Sequence, residues 1–123
     1  MQLVTDLHLH SKYSRAVSQD MVLPTMARFA RSKGIDVLSA SDWTHPLWMK
    51  EIQAQLTEAA SGVYILKNKP EEAEGTVADR ETYFILSTEI SSIFTQGGKL
   101  RRIHNLVFAP DFQVAEKVSK ELI

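Results

Sequence analysis

Val4-Thr5-Asp6-Leu7-His8-Leu9-His10-Ser11 is the stretch from which the fold and chemistry of this chain are read. Side chains alternate along a strand, so in a strand over Leu3 to Leu9 the residues Asp6, His8 and His10 project together while Leu7 and Leu9 pack the other way. Same-face neighbours lie about 7 Å apart, and two imidazoles reaching inward can meet on one ion at roughly 2.1 Å from each nitrogen. Taken alone, the stretch fits equally a strand that ends in two exposed histidines. The rest of the chain favours the metal: Asp42, His45, Glu89 and His104 each fall just after or at the end of a strand-like run.

A chain of 123 residues is long enough for one core and too short for an eight-unit α/β barrel of about 250 residues. With 44% apolar and 24% charged residues and a net charge of -1, it has no global pull toward nucleic acid, so any such contact is local. The absence of cysteine removes disulfides and thiolate metal sites, leaving imidazole and carboxylate as ligands, a set suited to hydrolysis on hard oxygen substrates. No apolar run approaches the roughly 18 residues of a membrane span and none resembles a signal peptide, so a cytoplasmic location is expected.

After the first strand, Ser11 to Asp20 lacks periodicity and is expected to be a loop carrying Lys12 and Arg15. A helix is predicted over Leu23 to Lys33, with Met26, Phe29 and Ala30 as its apolar stripe, Pro24 in the first turn, no good N-cap and Gly34 as the stop. Ile35 to Ala40 is the second strand, giving a parallel strand-helix-strand unit. The loop Ser41-Asp42-Trp43-Thr44-His45-Pro46 then sits at the carboxyl end of that strand, where α/β folds place their chemistry, and offers Asp42 and His45 as ligands. Asp42 or Thr44 as a cap for a helix from Pro46 to about Ala60 is the competing assignment.

Val63 to Leu66 is a short strand, and Lys69 to Arg80, polar and acidic with Glu71, Glu72 and Glu74, is expected to be a solvated loop. Thr82 to Ser87 is strongly β-prone and delivers Glu89, the natural carboxylate partner for the histidine pair. Thr95-Gln96-Gly97-Gly98-Lys99-Leu100-Arg101-Arg102-Ile103 is expected to form a hairpin or tight loop whose Lys99, Arg101 and Arg102 suit phosphate contacts; a merely solvated basic hairpin fits as well. Ile103 to Phe108 is a further strand bearing His104. Asp111 caps a last helix with Phe112, Ala115, Val118 and Leu122 on one face.

With these residues collected, the chain resembles the PHP (polymerase and histidinol phosphatase) superfamily of metal-dependent phosphoesterases. Asp6-Leu7-His8-Leu9-His10-Ser11 is similar to its first motif, Asp42 to its second, Glu89 to its third and His104 to its fourth. Ser14-Arg15-Ala16-Val17-Ser18, Ser41 to Pro46, Ser87-Thr88-Glu89-Ile90-Ser91 and Gly97 to Asn105 further resemble the endonuclease Q branch, which nicks DNA on the 5′ side of deaminated or missing bases. The likeness runs in the same order over nearly the whole chain.

The resemblance implies an α/β fold, the N-terminal part of a distorted PHP-type (β/α)7 barrel with mostly parallel strands, in a single domain over residues 1–123. It implies two or three divalent ions, zinc or manganese, in the complete site. His8 and His10 would bind the first, Glu89 would bridge, and His104 would serve the second, with Asp42 and Glu89 as the catalytic acids. Trp43 and Arg15 stand where many members have metal ligands, and His45 is the substitute on offer. The family also uses a later histidine and a late Asp-x-His pair absent from these 123 residues. The chain is therefore expected to be a partial domain, inactive by itself, that associates with itself or with a missing C-terminal half. The expected reaction is metal-assisted phosphodiester hydrolysis on damaged-base or abasic DNA, with Lys99, Arg101 and Arg102 holding the backbone. A phosphomonoesterase acting on a small metabolite, and a non-catalytic metal- or DNA-binding module, are the alternatives.

Overall fold

The computed structural model describes residues 1–69 and 80–122. Most of the expected acidic loop between Lys69 and Arg80 lies outside the described residues. Along the chain the elements are β1 (Thr5–Asp6), α1 (Leu23–Lys33), β2 (Val37–Ala40), α2 (Pro46–Gln55), β3 (Leu56–Ala60), β4 (Val63–Leu66), β5 (Tyr83–Gln96), β6 (Lys99–Ala109) and α3 (Phe112–Glu121).

Helix α1 has the bounds its sequence predicts. Val22 gives no side-chain cap, Pro24 sits in the first turn, and Gly34 takes the left-handed conformation (φ 74°) so that its N–H reaches the carbonyls of Ala30 and Arg31. The buried stripe, however, is Leu23, Met26, Ala27 and Ala30, and Phe29 is 59% exposed. The i, i+3, i+4, i+7 spacing from Leu23 defines the face that meets the sheet, and Phe29 falls beside it.

Helix α2 stops at Gln55, five residues before the expected end, because Leu56 turns extended (φ -106°, ψ 144°) and opens β3. Nothing local stops the helix; pairing does. Leu56 lies opposite Leu66 and Thr57 opposite Ile65 in an antiparallel hairpin with β4. Its turn contains Gly62 at φ 77°.

The sheet is mixed and open, which corrects the expectation of mostly parallel strands. β2 pairs in parallel with β1 and with β5, Val37 opposite Thr5 on one side and Tyr83 on the other. β4 is antiparallel to β5, meeting it at Phe84, and β6 is antiparallel to β5 from Leu86↔Ala109 out to Gln96↔Lys99. The strand order β1-β2-β5-β4-β3 does not close, so the described residues form no barrel. The hairpin expected around the glycines is present, as the tip of a long ribbon. Gly97 (φ 60°) and Gly98 (φ 73°) make a two-residue turn whose positive φ at both positions matches the twist of the strands.

Trp43, Trp48, Ile52, Phe84 and Leu86 are buried between the helices and the sheet, and Ala115 anchors α3 against the same core. The opposite end of the sheet is tied by one carboxylate. Asp36 accepts from the Val4 N–H at 2.8 Å and from the Arg80 guanidinium, whose Nε lies at 3.0 Å. These donors, the Val4 N–H foremost, hold its carboxyl below the usual range.

Candidate metal centre

β1 ends at Asp6, so the alternation expected through His10 stops early. Asp6 consequently leaves the polar trio and lines, with Leu9, Met26 and Lys33, a cleft between α1 and the sheet. His8 and His10 still reach one point. Their rings stand edge to face at 5.4 Å, and both Nε2 atoms approach Glu89 Oε2, His8 at 2.7 Å and His10 at 3.2 Å.

Asp42 follows β2 in the left-handed region at φ 59°, a conformation that aspartate tolerates better than most residues. Its carboxylate is thereby turned onto the first motif. Oδ2 accepts from the Ser11 N–H at 2.6 Å and the Ser11 hydroxyl at 2.8 Å, and Oδ1 meets His10 Nδ1 at 3.2 Å. Asp42 therefore stands behind His10 rather than among the converging ligand atoms. Below it lies a floor of buried hydroxyls, Ser39, Ser41 and Ser87, with Ser39 bonded to both of the others. Nothing in the sequence marked those serines except their place at two strand ends.

Glu89 sits on β5 just beyond the part that pairs with β2, and its other oxygen, Oε1, is 2.6 Å from His104 Nδ1. Ser91, directly opposite His104, also bonds that nitrogen at 2.9 Å. The hydrogen bond from His8 leads the interactions that draw the Glu89 carboxyl below its usual range, followed by that from His104, against an opposing push from burial. Directly opposed residues of an antiparallel pair share a face. The side of the ribbon that bears Glu89 and His104 thus continues outward with Arg102 opposite Ile93 and Leu100 opposite Thr95. Arg101, opposite Phe94, and Lys99, opposite Gln96, lie on the reverse side. The three cations grouped by sequence are divided by the pleat.

His45 is not in the cluster. It stacks on Tyr13 with centroids 4.3 Å apart, and its Nδ1 is buried without a partner among the described residues. Tyr13 is fixed in turn by donating to Glu51 at 2.9 Å, a carboxylate it shares with Lys12. That hydrogen bond to Glu51 raises the Tyr13 phenol above its ordinary value. Tyr13, His45, Asp42, Thr88 and Glu89 line a cavity of about 200 Å³ beside the cluster. Trp43, at the position where many PHP members have histidine, is 1% exposed and belongs to the core; Arg15 is exposed.

One nitrogen each of His8 and His10 and one oxygen of Glu89 lie within 4.8 Å of one another, a grouping able to hold a metal ion. Ligand atoms about 2.1 Å from one ion stand about 3.0–3.4 Å apart; His10 and Glu89, at 3.2 Å, already have that spacing, and His8, at 2.7 Å from Glu89, has to move outward to admit an ion. Proton count agrees. A neutral imidazole has a single N–H, yet both His10 nitrogens face carboxylates at 3.2 Å, and a cation at the Nε2 side satisfies that contact without a second proton. Asp42 on Nδ1 is then the outer carboxylate that commonly orients a ligating histidine.

Fold and cluster together define a mixed α/β chain with a His-His-Glu grouping, able to hold a cation, beyond the carboxyl ends of its parallel strands. In structure this chain resembles endonuclease Q. It matches the lesion-specific endonuclease Q of Pyrococcus furiosus with a TM-score of 0.70 and 25% identity over 97% of its own length. It matches an endonuclease Q bound to a 27-mer duplex with an abasic lesion at the active site with a TM-score of 0.69 and 28% identity over 95%. In each case the chain spans 25% of the longer protein. It is also 35% identical over 48 residues, 39% of its length, to an uncharacterized protein of Methanocaldococcus jannaschii, of which it covers 6%. No protein-family model matches the chain. No helix among the described residues is long and apolar enough to cross a membrane.

Proposed function

We propose that this chain carries the metal-binding part of a DNA-repair endonuclease site, one that hydrolyses a phosphodiester 5′ of a deaminated or abasic position. The observation that carries the reading is the position of Glu89, with one carboxylate oxygen toward His8 and His10 and the other toward His104. A carboxylate so shared is what a two-ion site requires. His8, His10 and Glu89 would hold the first ion and Glu89 with His104 the second, with zinc or manganese serving. Bound ions would supply a water of lowered pKa and neutralise charge developing on the phosphoryl oxygens.

The chain's own groups do the rest. Asp42 fixes the His10 ring through Nδ1 and keeps Nε2 directed at the cluster. Ser11 steadies Asp42. Glu89, already ionised below the usual carboxylate range, needs no deprotonation before it binds a cation. The cavity beside Glu89, closed on one side by the Tyr13–His45 stack, gives a phosphate-bearing group room to approach. Its modest size is also what a small phosphomonoester would need, so that substrate is the second reading.

The test is nicking of duplex DNA that contains one abasic site or uracil, with added manganese or zinc. Wild-type chain and Glu89→Gln are compared, and a small phosphomonoester serves as the rival substrate. Metal-dependent nicking that Glu89→Gln abolishes supports the reading; turnover of the monoester alone transfers the site to the second. A chain that binds the ions but turns over neither substrate is the outcome expected of a partial site; the same assay on a chain extended through the family's late ligands then decides, and turnover of neither substrate there makes it a binding module.

A further inference from the structure

We propose that the outer half of the β5–β6 ribbon is a one-sided nucleic-acid track: Arg102, with Ile93 beside it and Leu100 beyond it, lies against the strand held at the metal cluster, and Lys99 and Arg101 do not. This deepens the proposed function and rests on it. Beyond Ile90 and Asn105 the ribbon projects from the sheet, and residues 91–96 and 99–106 are exposed. What distinguishes its two faces is what each is continuous with. The face through Glu89, Ser91 and His104 runs on to Arg102 and Ile93, then to Leu100 and Thr95, without a break in register. At about 3.4 Å per residue, Arg102 stands about 7 Å and Leu100 about 14 Å beyond His104 along the strand. A phosphate engaged at His104 therefore has a guanidinium one step along, on the same side, to meet its neighbour. Arg101 and Lys99, with Phe94, point away from any strand in that position.

Charge and shape favour nucleic acid as the occupant. Arginine's planar fork matches phosphate oxygens, and a two-stranded ribbon is narrow enough to enter a major groove about 12 Å wide. The apolar residues beside and past Arg102 are unusually bare, Ile93 at 57% and Leu100 at 72% exposure. Apolar side chains that follow a phosphate-binding cation suit contact with sugars and unstacked bases, where burial adds affinity without altering salt dependence.

The experiment measures binding of the 123-residue chain to a fluorescent duplex carrying one abasic site, by anisotropy across a salt series, for Arg102→Gln, Arg101→Gln, Lys99→Gln and Leu100→Ser. Calorimetric titration with manganese verifies that each variant keeps the metal cluster. Loss of one phosphate contact lowers the slope of log K against log salt by about 0.9. We expect that decrease for Arg102→Gln alone, and weaker binding with an unchanged slope for Leu100→Ser. Equal decreases for Arg102→Gln and Arg101→Gln, or an unchanged slope for Arg102→Gln, would overturn the one-sided track, as would a wild-type chain whose binding ignores salt. The proposed reaction fails separately: a chain that shows the Arg102 effect but no metal-dependent nicking, even when extended through the family's late ligands, keeps its track and loses its assigned chemistry.

Discussion

His10 and Asp42 meet Nδ1 to Oδ1 at 3.2 Å, and this contact decides which ring nitrogen is left to face Glu89. Asp42 reaches that position only because its own backbone is left-handed, φ 59°, directly after β2. Two replacements separate the carboxylate from the turn. Asn tolerates the left-handed conformation but loses the charge, whereas Ala loses both charge and tolerance. Outer-shell carboxylates of this kind affect metal affinity by about 10–100-fold. We expect Asp42→Asn to lower manganese or zinc affinity within that range with little change in melting temperature, and Asp42→Ala to lower both. Calorimetric metal titration alongside thermal melts checks this, and unaltered affinity in Asp42→Asn would remove Asp42 from the site.

Trp43 occupies the place where the PHP superfamily that the sequence resembles often carries a ligand, so Trp43→His tests whether position in a motif or position in the fold governs. The side chain is buried in the core, 1% exposed. Replacement by a smaller polar ring should cost about 3–5 kcal/mol, the range of large-to-small aromatic substitutions in cores. Denaturant unfolding should show that loss while metal stoichiometry stays that of the wild type. A gain of one bound ion would contradict the packing argument.

Asp36 gives the pH dependence of stability. Its folded carboxyl titrates below the unfolded value of about 3.9, so the native state binds fewer protons than the unfolded chain in that region. The stabilisation is complete above the unfolded value and is lost as pH falls through the folded one. Asp36→Asn should melt several degrees below wild type at neutral pH, and the gap should narrow on acidification below about pH 4. Melting curves between about pH 7 and about pH 3 test this; a gap that widens in acid has the wrong sign.

The buried hydroxyls of Ser39 and Ser87 form one bonded pair, with Ser41 as the second partner of Ser39. Ser87→Ala and Ser39→Ala should each destabilise by about 1–3 kcal/mol, the cost of leaving a buried polar group short of a partner. The double variant should cost less than the sum, with a coupling of about 0.5 kcal/mol or more for residues in direct contact. Strict additivity in a denaturant double-mutant cycle would mean that the pair is not bonded.

The sequence by itself determined what local chemistry can determine. Helix α1 took its bounds from Pro24 and Gly34, and α3 its start from Asp111, whose Oδ1 accepts from the Val114 N–H at 2.8 Å. The grouping of His8, His10 and Glu89 was legible because the histidines stand two residues apart at the end of one strand-like run and Glu89 follows another. Tertiary structure decided the remainder, in each case through a partner distant in sequence. Residues 56–60 have no helix stop of their own and became a strand because β4 pairs with them. Asp6 left its histidines because β1 ended two residues before His8, and Phe29 was exposed because Leu23, Met26, Ala27 and Ala30 form the face of α1 that is buried. Asp42 stands behind a ligand because of one backbone dihedral, and Trp43 is core because α2 and α3 close over it. Lys99, Arg101 and Arg102 form one basic cluster in the sequence; the register of an eleven-pair antiparallel ribbon puts Arg102 on the metal side and the other two behind it.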